Sequence, residues 1–111
     1  MTSYEVMNGI VAKAATEESF KKEITGFNKS FQFKPSDTKP YYVEISNGSV
    51  SLKEGELQGA SATISATDQA LTDIFTGKLD AIKAFMQGQL KVSGDIFSAQ
   101  KLTGIVSKIR K

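Results

Sequence analysis

The hydrophobic period of this chain changes from 3.6 residues to 2 and back again along its length of 111 residues. Between residues 31 and 67, apolar and polar side chains alternate, as in Phe31-Gln32-Phe33-Lys34, which predicts strands with one dry face. The segments on either side carry apolar residues at helical spacings of three and four. One block of strands between two blocks of helices indicates an α+β fold, in which helices cover one face of a sheet. A chain of this length supports one core, so we predict one domain over residues 1–111.

Two helices are predicted before the strands. Thr2 and Glu5 have the spacing of a capping box, and they begin a helix that runs to about residue 14. Thr16 is the predicted N-cap of a shorter second helix, which Gly26 is suited to end in the left-handed conformation. The apolar residues that these two helices are expected to bury are Val6, Ile10, Ala14, Phe20 and Ile24.

The alternating region divides into four strands. Asn47-Gly48 is the preferred two-residue turn of a hairpin, and Pro35 and Pro40 bracket the connection before it. The predicted inward residues are Phe31 and Phe33, then Tyr41, Val43 and Ile45, then Val50 and Leu52, and in the fourth strand Ala62, Ile64 and Ala66. The first three strands are expected to be antiparallel. Two alanines on the inner face of the fourth strand leave volume unfilled.

The helical period returns after residue 67. Gly77 ends one predicted helix, Asp80 caps a second that stops at Gly88, and Asp95 caps a final helix. A fifth short strand, with Leu90 and Val92 on one face, lies between the second and the final helix of this block. The predicted fold is therefore a five-stranded sheet, largely antiparallel or mixed, covered on one face by about five helices.

The residue types that are missing exclude several kinds of chemistry. The chain has no Cys, His or Trp, so thiol nucleophiles, Ser-His-Asp triads and zinc sites built from Cys or His are ruled out. With 14 basic and 12 acidic residues the net charge is only +2, and no glycine-rich phosphate loop is present, which argues against a nucleic-acid partner. The acidic pairs Glu17/Glu18, Glu54/Glu56 and Asp68/Asp73 lie in polar contexts typical of surface charges. Without a membrane span or a secretory leader, the chain is expected to stay inside a cell, with no metal or cofactor.

The spacing of glycines and apolar residues in residues 77–104 resembles the sterol carrier protein 2 family. The matching motifs are Gly77-Lys78-Leu79-Asp80, Ala84-Phe85-Met86, Gly88-Gln89-Leu90-Lys91-Val92-Ser93-Gly94-Asp95 and Gln100-Lys101-Leu102. This resemblance implies an apolar tunnel between the sheet and the later helices. It also implies a non-enzymatic carrier of fatty acids, fatty acyl-CoA, sterols or phospholipids. The alternative function is an accessory module that presents acyl-CoA substrates to a partner enzyme.

The resemblance also implies a location in peroxisomes. The chain ends Ile109-Arg110-Lys111, however, without a Ser-Lys-Leu-like peroxisomal address, so a cytoplasmic location stays open.

Small residues at inward positions indicate where a ligand would fit. Ala66, Ala81, Ala99 and Gly104 stand where a well-filled core would have bulk, next to large side chains such as Phe75. The residues predicted to contact lipid are Ile64, Ala66, Leu71, Ile74, Phe75, Ile82, Phe85, Met86, Ala99, Gln100, Leu102, Ile105, Val106 and Ile109. Gln100 is the predicted polar contact, because an amide both donates and accepts hydrogen bonds. An ordinary filled core, with Gln100 as a surface glutamine, is the alternative.

The end of the chain is basic. Lys101, Lys108, Arg110 and Lys111 fall in the last 11 residues, which contain no acidic residue. These charges either complement the dipole of the final helix or contact an anionic membrane or an acyl-CoA phosphate. One hypothesis is that this helix docks transiently on membrane through Lys108, Arg110 and Lys111 and loosens to admit lipid. The protein is otherwise expected to be a monomer with a lipid ligand.

Overall fold

The computed structural model describes residues 2–110, with the side chain of Arg110 excepted. The helices are α1 (Ser3–Thr16), α2 (Glu18–Ile24), α3 (Asp68–Thr76), α4 (Ala81–Met86) and α5 (Ile96–Arg110). The strands are β1 (Lys29–Pro35), β2 (Tyr41–Ser46), β3 (Ser49–Glu54), β4 (Ala62–Ala66) and β5 (Lys91–Gly94). The predicted α+β fold, with five strands and five helices in this order, is confirmed.

The five strands form one mixed sheet in the order β3-β2-β1-β4-β5. Asn47 and Gly48 both have positive φ, 53° and 78°, as the predicted hairpin turn between β2 and β3 requires. The one parallel pair joins β1 to β4, with Phe33 beside Ile64. Strands β4 and β5 are antiparallel, with Ile64 beside Val92. The register therefore aligns Phe33, Ile64 and Val92 in one row across three strands.

The helices pack on one face of the sheet and enclose the core. The apolar sides of α1, α3 and α5 meet the inward side chains of the strands, among which Phe31, Phe33 and Val43 are almost completely buried. The helical residues of this core include Met7, Ile10, Ala14, Leu71, Ile74, Phe75, Leu102, Ile105, Val106 and Ile109. None of the described helices is long and apolar enough to cross a membrane.

Side-chain caps fix the starts of four helices. Thr2 and Glu5 form the predicted capping box, and Asp80 accepts a hydrogen bond from the Lys83 backbone N–H. Asp95 begins α5 by accepting from the hydroxyl and the backbone N–H of Ser98, and these bonds lower the pKa of the Asp95 carboxyl. The Thr67 side chain caps α3 in the same way, at the Ala70 backbone N–H.

The predicted N-cap at Thr16 is wrong. Thr16 is the last residue of α1, and its hydroxyl donates back to the Lys13 carbonyl, so it lies one residue before the N-cap position of α2. Glu17 takes the N-cap position of α2 without a side-chain hydrogen bond.

Gln32 departs from the predicted alternation, because its side chain lies on the outer face of the sheet and is nevertheless 2% exposed. Its amide nitrogen donates to the carbonyls of Tyr41 at 2.9 Å and Gly55 at 3.1 Å. Its amide oxygen accepts from the Leu57 backbone N–H at 2.6 Å. The segment after β3 therefore folds over this side chain, and Gln32 satisfies backbone groups that would otherwise be unpaired.

We expect Gln32→Met to lower the free energy of unfolding by about 2–3 kcal/mol, because the near-isosteric thioether leaves the Leu57 N–H and the Gly55 carbonyl without partners. Urea unfolding measures this change. Lys34→Met is the matched control on the same face of β1. It removes only an exposed ion pair with Glu56, worth about 0–1 kcal/mol. Equal costs for the two variants would contradict the structural role of Gln32.

Gly94 is required where β5 ends. Its φ is +89°, and a Cβ atom at this position would lie 2.6 Å from the Ser61 carbonyl oxygen. That oxygen already accepts the Asp95 backbone N–H, so it cannot move away freely. We expect Gly94→Ala to destabilise the protein by about 2–3 kcal/mol in thermal or urea unfolding. Gly9→Ala is the control, because Gly9 is helical with open space around it, and there alanine should stabilise by about 1 kcal/mol.

Candidate functional site

A cavity of about 470 Å³ lies between the sheet and helices α3, α4 and α5. Its floor is the row formed by Phe33, Ile64 and Val92, with Leu90 beside it. The residues that line it are Phe33, Ile64, Leu71, Ile74, Phe75, Gly77, Leu79, Asp80, Ala81, Ile82, Phe85, Leu90, Val92, Ile96, Ala99, Gln100, Leu102, Thr103, Gly104, Val106 and Ser107. Most of these are apolar, so the space is suited to an apolar ligand.

Each helix reaches the cavity for a local reason. Leu71, Ile74 and Phe75 of α3 have spacings of three and four, so they lie on one face and point together toward the sheet. The left-handed Gly77 then ends α3, and Asp80 starts α4 at the edge of the cavity. The chain therefore turns around one end of the cavity before it continues into β5.

Small residues on α5 leave the cavity unfilled. Ala99 is buried at the cavity wall and extends no further than its Cβ. Gly104 lines the cavity as well, and a Cβ atom added to it would meet no atom within 4 Å. Side chains of ordinary core size at these positions would occupy the space that remains open.

The polar groups of the cavity are few. Asp80 contributes a carboxylate that already caps α4, and α5 contributes Gln100, Thr103 and Ser107, at helical spacings of three and four. The Thr103 hydroxyl donates to the Gln100 carbonyl within the helix. No lysine or arginine is among the described lining residues. The site therefore offers a largely apolar interior and a neutral polar strip along α5.

The cavity opens to solvent between α4 and the start of α5. Ile82 and Phe85 of α4 line it and are 59% and 45% exposed, and Ile96 of α5 lines it and is 42% exposed. Gln100 is also an exposed lining residue. The rim of the opening is therefore mainly apolar, with the Gln100 amide and the exposed Asp80 carboxylate as its polar groups.

Ten of the fourteen residues predicted to contact lipid line this cavity. They are Ile64, Leu71, Ile74, Phe75, Ile82, Phe85, Ala99, Gln100, Leu102 and Val106. The other four are Ala66, Met86, Ile105 and Ile109, and the structure places each of them outside the cavity wall.

The four exceptions have separate causes. Ile105 and Ile109 face α1 and α2, where they line a void of only about 20 Å³ that holds no more than a water molecule. Ala66 is buried at the far end of β4, where its carbonyl accepts from Ser36. Met86 is 78% exposed, because α4 turns Ala84 toward the core, two residues away on the helix.

Several lining residues were not predicted as contacts. Phe33, Leu90 and Val92 had been assigned to the apolar faces of strands, so their periodicity already marked them as inward, and Ile96 is the first residue of α5. The remaining ones are Gly77, Leu79, Asp80, Ala81, Thr103, Gly104 and Ser107. Ala81 and Gly104 had been noted for their small size, and the others lie in the turn before α4 or on the polar side of α5, where periodicity carries no signal for a cavity.

A second buried cluster joins three elements away from the cavity. The Ser3 hydroxyl donates to the Asp68 carboxylate at 2.6 Å and lies 2.7 Å from the Tyr41 hydroxyl. Burial raises the pKa of the Tyr41 hydroxyl above its usual range. Ser3 is 0% exposed and lines neither the cavity of about 470 Å³ nor the void of about 20 Å³. We assign this cluster a structural role, because it ties the start of α1 to the start of α3 and leaves no space for a substrate.

The basic residues near the end of the chain already have intramolecular contacts. The Lys108 ammonium donates to the Glu23 carboxylate of α2 at 2.6 Å, and Lys101 lies 4.6 Å from the centre of the Phe27 ring. The Arg110 side chain and Lys111 lie outside the described residues. In the structure, α5 is therefore held to α2 by the Lys108 charge that one sequence hypothesis assigned to a membrane.

Comparison with known proteins agrees with this geometry. The sequence profile of the SCP-2 sterol transfer family matches residues 8–107. Sterol carrier protein 2 of Gallus gallus is 34% identical over 109 residues, which cover 93% of this chain and 19% of that protein. Peroxisomal multifunctional enzyme A of Dictyostelium discoideum is 35% identical over 86 residues, which cover 77% of this chain and 20% of that protein. This chain thus spans about a fifth of the length of each relative.

A solved structure has the same fold. The apo form of sterol carrier protein 2 from Yarrowia lipolytica matches with a TM-score of 0.71 at 21% sequence identity. The match covers 97% of this chain and 89% of that chain.

Proposed function

The chain belongs to the SCP-2 sterol transfer family, and on this premise we propose that it binds the acyl chain or ring system of a lipid in the cavity and transfers it without chemical change. The observation that carries this proposal is the apolar cavity of about 470 Å³ with an opening to solvent. This volume falls in the range of ligand sites, roughly 300–1,000 Å³. Fatty acids, fatty acyl-CoA, sterols and phospholipids are the proposed ligand classes.

Hydrophobic burial supplies most of the affinity in this proposal. Removing a C16 chain from water contributes a gross ~12 kcal/mol to the binding free energy, at ~0.8 kcal/mol per methylene. The entropy lost when the ligand is ordered and associates with the protein offsets several kcal/mol of this gain. The remainder supports micromolar or tighter binding. Selectivity among chain lengths is loose, because one methylene changes the binding free energy little in an apolar cavity.

The proposed lipid contacts are the ten predicted residues that line the cavity, together with the floor residues Phe33 and Val92. At the rim, the exposed Gln100 amide serves as a hydrogen-bonding group for the head of the lipid, because an amide accepts and donates. Asp80 is a poor partner for a fatty-acid carboxylate, because the two anions repel each other. A charged head group is therefore placed at the opening, and the apolar chain lies inside.

A second candidate function is an accessory module that presents acyl-CoA substrates to a partner enzyme. The Dictyostelium discoideum relative favours it, because that protein is named a multifunctional enzyme and this chain spans a fifth of its length. The peroxisomal name of that relative also supports a location in peroxisomes. Both functions require the same lipid site.

Native mass spectrometry of the purified protein tests the proposal. We expect mass adducts of co-purified lipid that disappear after delipidation and return on incubation with palmitate. A fluorescent fatty acid below its micelle concentration should also bind the delipidated protein. If no lipid class gives an adduct or a fluorescence change, the carrier function is wrong. Stimulation of an acyl-CoA enzyme only in the presence of this protein would favour the accessory module.

A further inference from the structure

Large exposed apolar side chains gather in one region of the molecule. They are Ile82, Phe85 and Met86 of α4 and Ile96 and Phe97 at the start of α5. Phe97 is 83% exposed and Met86 is 78% exposed. Single exposed apolar residues are ordinary on a soluble protein, but a contiguous group indicates an interaction surface. We call these five residues the mouth patch.

The mouth patch is continuous with the cavity. Ile82, Phe85 and Ile96 line the opening, Met86 follows Ile82 by one helical turn, and Phe97 adjoins Ile96. A ligand that moves through this opening therefore passes between the side chains of the patch. Whatever covers the patch also receives that ligand.

Two lysines lie close to the mouth patch, Lys78 in the turn before α4 and Lys83 on α4 itself. Neither has a described carboxylate within ion-pair distance. Of the two acidic residues of this region, Asp80 caps α4 at the edge of the cavity and Asp95 pairs with Lys29. Apolar side chains with unpaired lysines around them complement an anionic bilayer surface.

The other candidate membrane residues in the described part of the chain do not adjoin the cavity opening. The apolar residues Met7, Ile10 and Ala14 of α1 are buried in the core. Lys108 of α5 forms an exposed ion pair with Glu23 and does not line the cavity. Of the apolar and basic surfaces in the described part of the chain, the mouth patch is the one that both remains exposed and adjoins the cavity.

We infer that the mouth patch docks the protein on anionic lipid bilayers, with Phe97 and Met86 inserted into the headgroup and acyl boundary. This inference rests on the proposed function, because the bilayer is the partner that can accept the apolar ligand. When the protein is docked in this way, its cavity opens directly into the bilayer. An acyl chain then moves between the bilayer and the cavity without full exposure to water. This docking surface, α4 and the start of α5, differs from the basic end of the chain that the sequence hypothesis names.

The absence of tryptophan from the chain allows a direct test. Phe97→Trp places a single tryptophan in the patch, and its emission can be excited apart from that of the three tyrosines. With vesicles of two parts phosphatidylcholine to one part phosphatidylserine, its emission should shift to the blue and be quenched by brominated lipid. Tyr42→Trp, on the outer face of β2, is the control and should show neither effect. An introduced tryptophan at 97 that behaves like the one at 42 would overturn the inference.

Loss of the exposed side chains isolates docking from ligand binding. We expect Met86→Ser combined with Phe97→Ser to weaken vesicle binding in a sedimentation assay by roughly tenfold or more. Neither residue lines the cavity, so binding of a soluble fluorescent fatty acid should be unchanged. Normal vesicle binding by this variant overturns the docking surface and leaves the proposed function intact. Failure of the unaltered protein to bind the fatty acid overturns the proposed function itself.

Charge reversal tests the anionic partner. Lys78→Glu with Lys83→Glu should weaken binding to phosphatidylserine vesicles by roughly tenfold or more, and added salt should reduce the difference. Lys22→Glu with Lys39→Glu makes the same change in net charge away from the patch and should have a much smaller effect. Equal losses for the two pairs would overturn the patch as the site of contact. Analytical ultracentrifugation tests whether a second copy of the chain covers the patch. A dimer that the combined variant Met86→Ser and Phe97→Ser dissociates, in a protein that does not bind vesicles, would also overturn the inference.

Discussion

Palmitate at one hundred times its dissociation constant is expected to stabilise the delipidated protein by about 2.7 kcal/mol. The unfolded chain has no cavity, so the ligand binds only the folded state and shifts the equilibrium toward it. For a domain of this size, 1 kcal/mol corresponds to a melting-temperature change of roughly 4–8 °C, so the expected rise is on the order of 10 °C. Differential scanning calorimetry at increasing palmitate concentrations measures it, and the rise should continue as ligand exceeds its dissociation constant.

Butyrate at the same concentrations is the matched control. It carries the same carboxylate but too few methylenes to gain much from burial, so its effect on the melting temperature should be small. A stabilisation by butyrate equal to that by palmitate would point to a carboxylate effect at the surface. Identical melting curves with and without each of the proposed lipid classes would contradict the carrier function.

Ala99→Phe is expected to abolish fatty-acid binding while the fold remains stable. Ala99 lies at the wall of the cavity of about 470 Å³, so a phenyl ring there has open space to occupy and would take the place of the ligand. The burial of the ring in this space should leave the melting temperature unchanged or higher. Titration with a fluorescent fatty acid and thermal unfolding of the delipidated variant measure the two effects.

Ala14→Phe provides the contrast within the same protein. Ala14 is also buried, but it lines the void of about 20 Å³, which has no room for a ring. Overpacking there should cost about 1–3 kcal/mol, and the cavity should keep its affinity for lipid. If Ala99→Phe is destabilised to the same degree and still binds fatty acid, Ala99 belongs to ordinary packing, and the assignment of the cavity wall is wrong.

Local sequence patterns were sufficient where the structure depends on neighbouring residues. The alternation around Phe31 and Phe33, the Asn47-Gly48 turn and the caps at Asp80 and Asp95 all appear as predicted. Each of these depends on side-chain period or on backbone conformation within a few residues. The family was evident for a related reason, because its glycine and apolar spacings fall in the continuous segment 77–104.

Helix α4 shows where periodicity fails. A helix of six residues has fewer than two turns, so several faces satisfy its pattern of Ala81, Ile82, Phe85 and Met86 equally well. The structure turns the smallest side chains, Ala81 and Ala84, inward and leaves the largest at the opening. Because the pattern did not fix which face is inward, Met86 was predicted to contact lipid, whereas the structure exposes it.

The strands, the helices, the α+β fold and most of the inward residues could be read from the sequence, because these follow from interactions close along the chain. The packing of elements that are distant in sequence decided that Gln32 is buried under the segment after β3 and that Lys108 pairs with Glu23, 85 residues away. It also decided that Ile105 faces a filled core and that Ala99, on the same helix, faces a cavity. A cavity is space that several elements leave between them, and its position and opening depend on the distances between those elements, which no local pattern of residues specifies.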